Sequence, residues 1–367
     1  MIRDRFFRAS VDNPPFKIFS FGYNGYGQLG LNDTTDRSSP VQVGSLTDWK
    51  SISCGQSHTV AVKTNGTLWA WGRNNYGQLG LNDLTNRSSP VQVGSLTNWK
   101  NVSCGGFHTL AIKTDGTLWA WGWDDFGQLG LGNLATRSSP VQVGSLTDWK
   151  QVAGGYYHTV AVKTDGTLWT WGNNTSGQLG LGDTTNRSSP VQVGSLTNWK
   201  QVAGGYYHTV AVKTDGTLWT WGGNILSELG LGDTTNRSSP VQVGTLSNWA
   251  LAAGNLYYSA AVKTDGTLWT WGNNTSGQLG LGNTASRNSP VQVGTLTDWK
   301  NVSCGYSHTL AQKTDGSLWA WGGNDLGQLG LDDTTNRSSP VQLGSHGGTV
   351  TDLPNKLGEA LSLILRV

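Results

Sequence analysis

Three sets of residues recur at fixed spacing and could do chemistry: five histidines, three cysteines and seven arginines. His58, His108, His158, His208 and His308 stand at intervals of fifty or a multiple of it, and imidazole serves as metal ligand or proton carrier near neutral pH. Equal spacing puts one histidine in each unit, a ring rather than a cluster, so a shared metal with bonds of ~2 Å is out of reach. Tyr258 takes the sixth place, which suits a buried hydrogen-bonding role. Cys54, Cys104 and Cys304 also share a phase, with Ala153, Ala203 and Ala253 read as the counterparts in the other units. Cysteine there reads as a small core residue. Arg37 and its six copies follow an acid by four residues, except where Asn133 and Asn283 replace that acid. An arginine that orders its loop fits this better than an obligatory ion pair. No Ser-His-acid set, carboxylate pair or phosphate loop stands apart from the repeat, and residues copied in every unit are scaffold first. We expect no catalysis, no metal and no cofactor.

The elements that position these residues follow from the repeat itself. Trp69 and Trp71 recur every fifty residues to Trp319 and Trp321, and SPVQ recurs seven times. Residues 18–367 make seven units of fifty without insertion, numbered here one to seven from Ile18. In each, HTVAVKT alternates as a half-buried strand does, and Asn65-Gly66 or an Asp-Gly copy joins it to TLWAWG. That dipeptide between alternating runs is a strong hairpin signal, with both residues expected at positive φ. PVQVG and WKxVSCG supply two more strands. Four short strands per unit fit one propeller blade.

Composition narrows the function. With 52 Gly, 19 Trp and 36% hydrophobic residues in 367, the chain is neither disordered nor collagen-like. A net charge of +2, spread evenly, leaves no electrostatic footprint for nucleic acid or an acidic membrane. No apolar run is long enough to cross a bilayer, and the start lacks an apolar signal segment, so a cytoplasmic location is the default.

The pattern LWAWGxNxxGQLGLGDTTNRSSPVQV, continuing into VSCGxxHTxAxKTDG, resembles the regulator of chromosome condensation repeat family across about 330 residues. The resemblance implies an all-β, seven-bladed propeller, in agreement with the strand count. We expect a short N-terminal arm at 1–17 and one propeller over 18–367, divergent from 345. Closing the ring needs a partner for the first strand. Ala360 to Val367 is expected to pair with Phe16 to Gly22. The rival is an amphipathic helix on Leu357, Ala360, Leu361, Ile364 and Leu365.

Variation against the copied background concentrates in two columns. The loop after Trp-Gly carries Tyr23 and Tyr26, then Arg73 and Tyr76, then Trp123, Asp124, Asp125 and Phe126, with Ile225, Leu226 and Leu326 further on. The pair before the histidine carries Phe107, Tyr156 and Tyr157, Tyr206 and Tyr207, Leu256 and Tyr257, and Tyr306. Large aromatic side chains and arginine dominate binding hot spots. The resemblance implies that both loops lie on one face used to hold partners. We therefore expect a non-catalytic, protein-binding face, strongest in units two to five. Free drift of loop tips is the plain alternative. In unit five Ser227-Glu228 replaces Gly-Gln; a tolerated substitution explains it more simply than a partner contact. Among family roles, nucleotide exchange on a Ran-type GTPase uses a basic tail and a loop insertion that this chain lacks. Ultraviolet-B sensing uses a tryptophan before the histidine, where Ser, Phe or Tyr stands here. A viral or phage surface subunit, in a homo-oligomer or particle, remains a second reading, and the partner's identity is open.

Overall fold

Periodicity becomes seven four-stranded antiparallel sheets. The computed structural model describes residues 16–344, 350–353, 358 and 361–366. Six sheets are near-copies, and the one within residues 49–92 serves for all. Its strands Trp49–Cys54, His58–Lys63, Leu68–Gly72 and Arg87–Gln92 pair in that order. Each sheet thus takes two strands from one unit and two from the next. The last strand, RSSPVQ, is half exposed and carries Pro90, a residue without a backbone donor that edge strands tolerate.

The hairpin differs from the expected two-residue turn. Only Gly66 takes a positive φ, 79°, while Asn65 does not. Lys63 N–H donates to Thr67 O at 3.0 Å and Gly66 N–H to Lys63 O at 2.9 Å. This is a three-residue connection with glycine at its left-handed position. The Asn65 Oδ1 accepts from Thr67 N–H and Thr67 Oγ1, and Asp115 Oδ1 does the same for Thr117.

The core lies between sheets. Val60, Val62, Leu68, Ala70 and Leu79 of one sheet meet Trp99, Val102, Cys104 and Trp121 of the next in a single buried cluster. Burying such side chains contributes about 1.5–3 kcal/mol each. Trp71 Nε1 donates across the seam to Gln28 O at 2.9 Å. The backbone there must come close: a β-carbon on Gly30 would lie 2.7 Å from Trp71 Nε1.

The seventh sheet is composite, in the order Arg37–Gln42, Lys17–Gly22, Leu361–Arg366, Val350–Asp352. Lys17 pairs with Arg366 and Gly22 with Leu361, without a register break. Over 361–366 the helical alternative is overturned. The alternation that puts Ser362 and Ile364 fully inside is a strand period, and an unpaired edge at Lys17–Gly22 is satisfied by it. Ala360, Val367 and Leu357 lie outside the described residues, as does the arm before residue 16. Phe16, assigned to that arm, already bridges Trp49. This sheet bonds to both neighbours: Ser362 Oγ to Gln328 O at 2.8 Å on one side, Thr59 Oγ1 to Gln28 O at 3.0 Å on the other.

Candidate protein-binding face

Antiparallel pairing decides which loops share a side. The first strand of a sheet ends at Cys54 and the third at Gly72, and His58 lies opposite Gly72. The connections 55–57 and 73–86 therefore leave the same edge, while hairpin 64–67 leaves the other. Both variable columns fall on one face of the disc.

There the aromatic residues form a series of contacts, ring to ring except where the Arg73 guanidinium bridges Tyr26 to Tyr76 and Phe107. Tyr23 meets Tyr26 edge-on at 6.2 Å. The Arg73 guanidinium lies 5.0 Å from the Tyr26 ring and 5.4 Å from Phe107, within cation–π range. Tyr76, Phe107 and Trp123 contact one another at 5.3–5.8 Å. Trp123 continues to Phe126 and Tyr157. Tyr156 stacks on Tyr206 at 4.1 Å, and Tyr206 reaches Tyr207 at 4.4 Å and Tyr257 at 5.9 Å. The Tyr157 and Tyr206 hydroxyls are 3.2 Å apart; burial pushes the Tyr206 hydroxyl well above the usual phenol range, so it stays neutral at physiological pH. Most of these rings are half-buried, so each keeps an open side.

Several expected residues sit differently. Asp124 is fully buried rather than presented on the face. Its Oδ1 accepts Leu129 N–H at 2.8 Å, the role that Asn24, Asn74 and their copies fill elsewhere. Tyr156 is 7% exposed, with its hydroxyl on Gln56 Oε1 at 2.6 Å, and forms the floor of the series. Asp125 is exposed, as are Ile225, Leu226 and Leu326; Leu256 and Tyr306 are half-buried on the same side. The sequence reading missed Leu84 and Leu134, each 59% exposed in the loops of units two and three. A signal existed: that column is Thr in five units and Leu in these adjacent two. On the other face Leu46 and five copies are exposed, but they recur in every copied unit and mark no direction.

The histidine, cysteine and arginine sets are bonded or buried within the repeat. His58 Nε2 lies 3.0 Å from Thr109 Oγ1, which donates to Gln78 O, so the ring nitrogen is the donor. The same relay links His108, His158, His208 and His308 to the next sheet. Burial pushes His308 down to about 3. Tyr258 replaces this by donating to His308 O and accepting from Thr309 Oγ1. Cys54, Cys104 and Cys304 are buried thiols outside any disulfide, and burial lifts Cys304 to about 12. The strand register places Gly154, not Ala153, where Cys54 stands, because a β-carbon there would meet Gly105 N at 2.5 Å. Arg37 does pair with Asp33 at 2.5 Å, and four copies match it. Arg137 and Arg287 instead reach Asn133 and Asn283 at 3.4 Å. Among the described residues no group of three His, Cys, Asp or Glu is arranged to hold a metal, and no helix is long and apolar enough to cross a membrane.

Similar solved structures share this architecture. Human WBSCR16 aligns with TM-score 0.86 at 22% identity, covering 96% of this chain and 98% of that one. Prp20p of Saccharomyces cerevisiae, described with its binding to Gsp1p and histones, gives 0.87 at 21% identity over 98% and 92%. Among curated relatives, the ultraviolet-B receptor UVR8 of Arabidopsis thaliana is 39% identical over 56 residues, and the probable E3 ubiquitin-protein ligase HERC3 of Homo sapiens is 45% identical over 51. Those matches span 15% and 13% of this chain and only 13% and 5% of the relatives' length. The regulator of chromosome condensation (RCC1) repeat matches seven times, at 17–62, 65–112, 115–162, 165–212, 215–262, 265–312 and 315–353. With the sheets, their order and these seven matches in agreement, the chain belongs to the RCC1 repeat family.

Proposed function

We propose that this chain is a non-catalytic binding propeller that grips a protein partner with the aromatic face of units one to five. The carrying observation is the series of ring contacts from Tyr23 to Tyr257, bridged at one point by Arg73 and half open to solvent, on a scaffold whose other loops are near-copies. Large rigid rings lose little entropy on binding and bury much area. Exposed Leu84, Leu134 and Ile225 extend the apolar surface around them. Pairing of Lys17–Gly22 with Leu361–Arg366 closes the disc in this reading and holds the face flat. Protein binding is the kind of role that Prp20p has with Gsp1p and histones; the partner here is a different question, since the face residues are this chain's own.

The test is quantitative capture from a lysate of the source cell with Tyr157, Tyr206 and Tyr207 changed to Ala, each variant checked by thermal melting. Captured partner should fall at least about tenfold, the scale of a lost hot spot. Undiminished capture by a folded variant removes the aromatic face as the binding surface.

A further inference from the structure

Arg73 is the one positively charged side chain of the aromatic series, and the other six units carry no arginine at its place. Its backbone N–H donates to Ser57 O at 2.8 Å. Its guanidinium carbon lies 5.0 Å from the Tyr26 ring, 5.4 Å from Phe107 and 5.9 Å from Tyr76. Rings at these distances hold a cation in place, but they supply no hydrogen-bond acceptor. Arg73 Nε is buried with no hydrogen-bond partner. Neither Nη nitrogen bonds to the protein, and among the described residues no carboxylate pairs with this guanidinium. Arg37 and its six copies are placed otherwise. Each donates to a carbonyl oxygen of its own loop and to the Asp or Asn four residues earlier. Arg73 is half-buried, so the outer edge of its fork stays within reach of a group arriving at the face.

We propose that Arg73 seats a carboxylate of the partner, an Asp or Glu side chain set among apolar residues, with Tyr26, Tyr76 and Phe107 holding the guanidinium ready for it. This rests on the reading of the aromatic face as the partner's side and adds the chemistry that it selects. A guanidinium presents paired N–H groups that match the two oxygens of a carboxylate, and such charge-assisted bonds are about twice as strong as neutral ones. The rings displace water around the cation, and attraction between opposite charges grows as water is excluded. They also fix the side chain before the partner arrives, which lowers the entropy lost on binding. A phosphoryl group shares the oxyanion chemistry, but the surroundings favour the carboxylate. Aromatic faces carry negative charge density, and the series holds no second cation to balance a dianion.

The probes are benzoate, its neutral isostere benzamide, and phenyl phosphate, each titrated against the full chain and followed by the ring proton shifts of Tyr26 and Tyr76. Benzoate should bind about tenfold or more tightly than benzamide, the scale of one charge-assisted pair, and more tightly than phenyl phosphate. Arg73→Asn installs the residue that units four and six carry as Asn173 and Asn273. That variant should stay folded in a thermal melt and lose the preference for benzoate over benzamide. Equal binding of these two probes, no saturable binding of benzoate, or a preference that survives Arg73→Asn overturns the proposal. Tighter binding of phenyl phosphate than of benzoate overturns the choice of a carboxylate. No readout needs the protein partner. The carboxylate seat can therefore fail while tyrosine-dependent capture stands, and the reverse holds too.

Discussion

Asp124 shows how one atom changes the demands of a repeat. In six units the asparagine at this place accepts from a backbone N–H with Oδ1 and donates with Nδ2. Asn274, for example, donates to Asn283 O at 2.9 Å and Ala285 O at 3.0 Å. In unit three Asp124 has an oxygen, Oδ2, where the asparagines have that donating nitrogen, and it is buried with no hydrogen-bond partner. A proton on Oδ2 restores the donor, and burial lifts the carboxyl to about 7, against partial relief from Leu129 N–H and the more distant Arg137, with Asp125 adding to the rise. The folded chain therefore holds this proton more tightly than the unfolded chain does. Stability falls as pH rises from about 4, the ordinary aspartate range, to about 7, and levels off above. Asp124→Asn should match the parent near pH 4 and exceed it by on the order of 2–4 kcal/mol at pH 8. Chemical denaturation at the two pH values checks this; an equal difference at both would remove the buried proton. Lysines on the opposite face show the same sensitivity. Lys63 sits 4.4 Å from the Trp69 ring with Asp48 at 3.4 Å. Lys113 lies opposite Asn98 in place of that acid and settles 3.5 Å from Trp119. The ring takes up the ammonium where the carboxylate is missing, and burial lowers Lys113.

At the scale of elements, the seventh sheet is the junction to test. Ile364 is fully buried with Phe21, Leu310 and Leu353. Ile364→Asp puts a charge into that cluster and should cost about 3 kcal/mol or more. If the composite sheet holds the disc together, the melt should also lose cooperativity, a second transition separating from the main one. Ile364→Val, at about 0.5–1.5 kcal/mol, should keep a single transition. A cooperative melt for the aspartate variant would show that the repeats stand without this sheet. The strands were legible because each carries a period-two pattern and a glycine turn, repeated enough times to fix the spacing. The hairpin type was not: Asn-Gly and Asp-Gly suit either a two- or a three-residue connection, and Thr67, whose side chain holds Asn65, decides for the longer one. The last strand was ambiguous because Leu361, Ile364 and Leu365 fit both periods; only the open edge of Lys17–Gly22 discriminates. Among site residues, Asp124 was misplaced by reading a four-residue loop as all tip. Asparagine in six of seven units marked that position as interior, and the same comparison marks Leu84 and Leu134 as variable surface.

At the scale of the molecule, the scaffold and the face are separable. Each unit contacts chiefly its neighbours, so stability is close to a sum over units and seams. The aromatic tips rest on a frame of copied backbone bonds such as Gly77 N–H to Asn74 O and Gly127 N–H to Asp124 O. Replacing Trp123, Asp124, Asp125 and Phe126 by the Asn-Asn-Thr-Ser that unit four carries at 173–176 installs a loop already accepted by an identical frame. It removes the outer route through which Phe107 and Tyr76 join Tyr157, leaving the inner one through Tyr156. The transplant should melt at or above the parent temperature, since it also restores asparagine at position 124. Partner capture should fall about tenfold or more, because the one tryptophan of the face and the Phe126 ring packed on it are lost together. A transplant that unfolds would show that the tips help hold the disc. One that binds normally would place the grip elsewhere, with the rim leucines Leu84 and Leu134 the next residues to change.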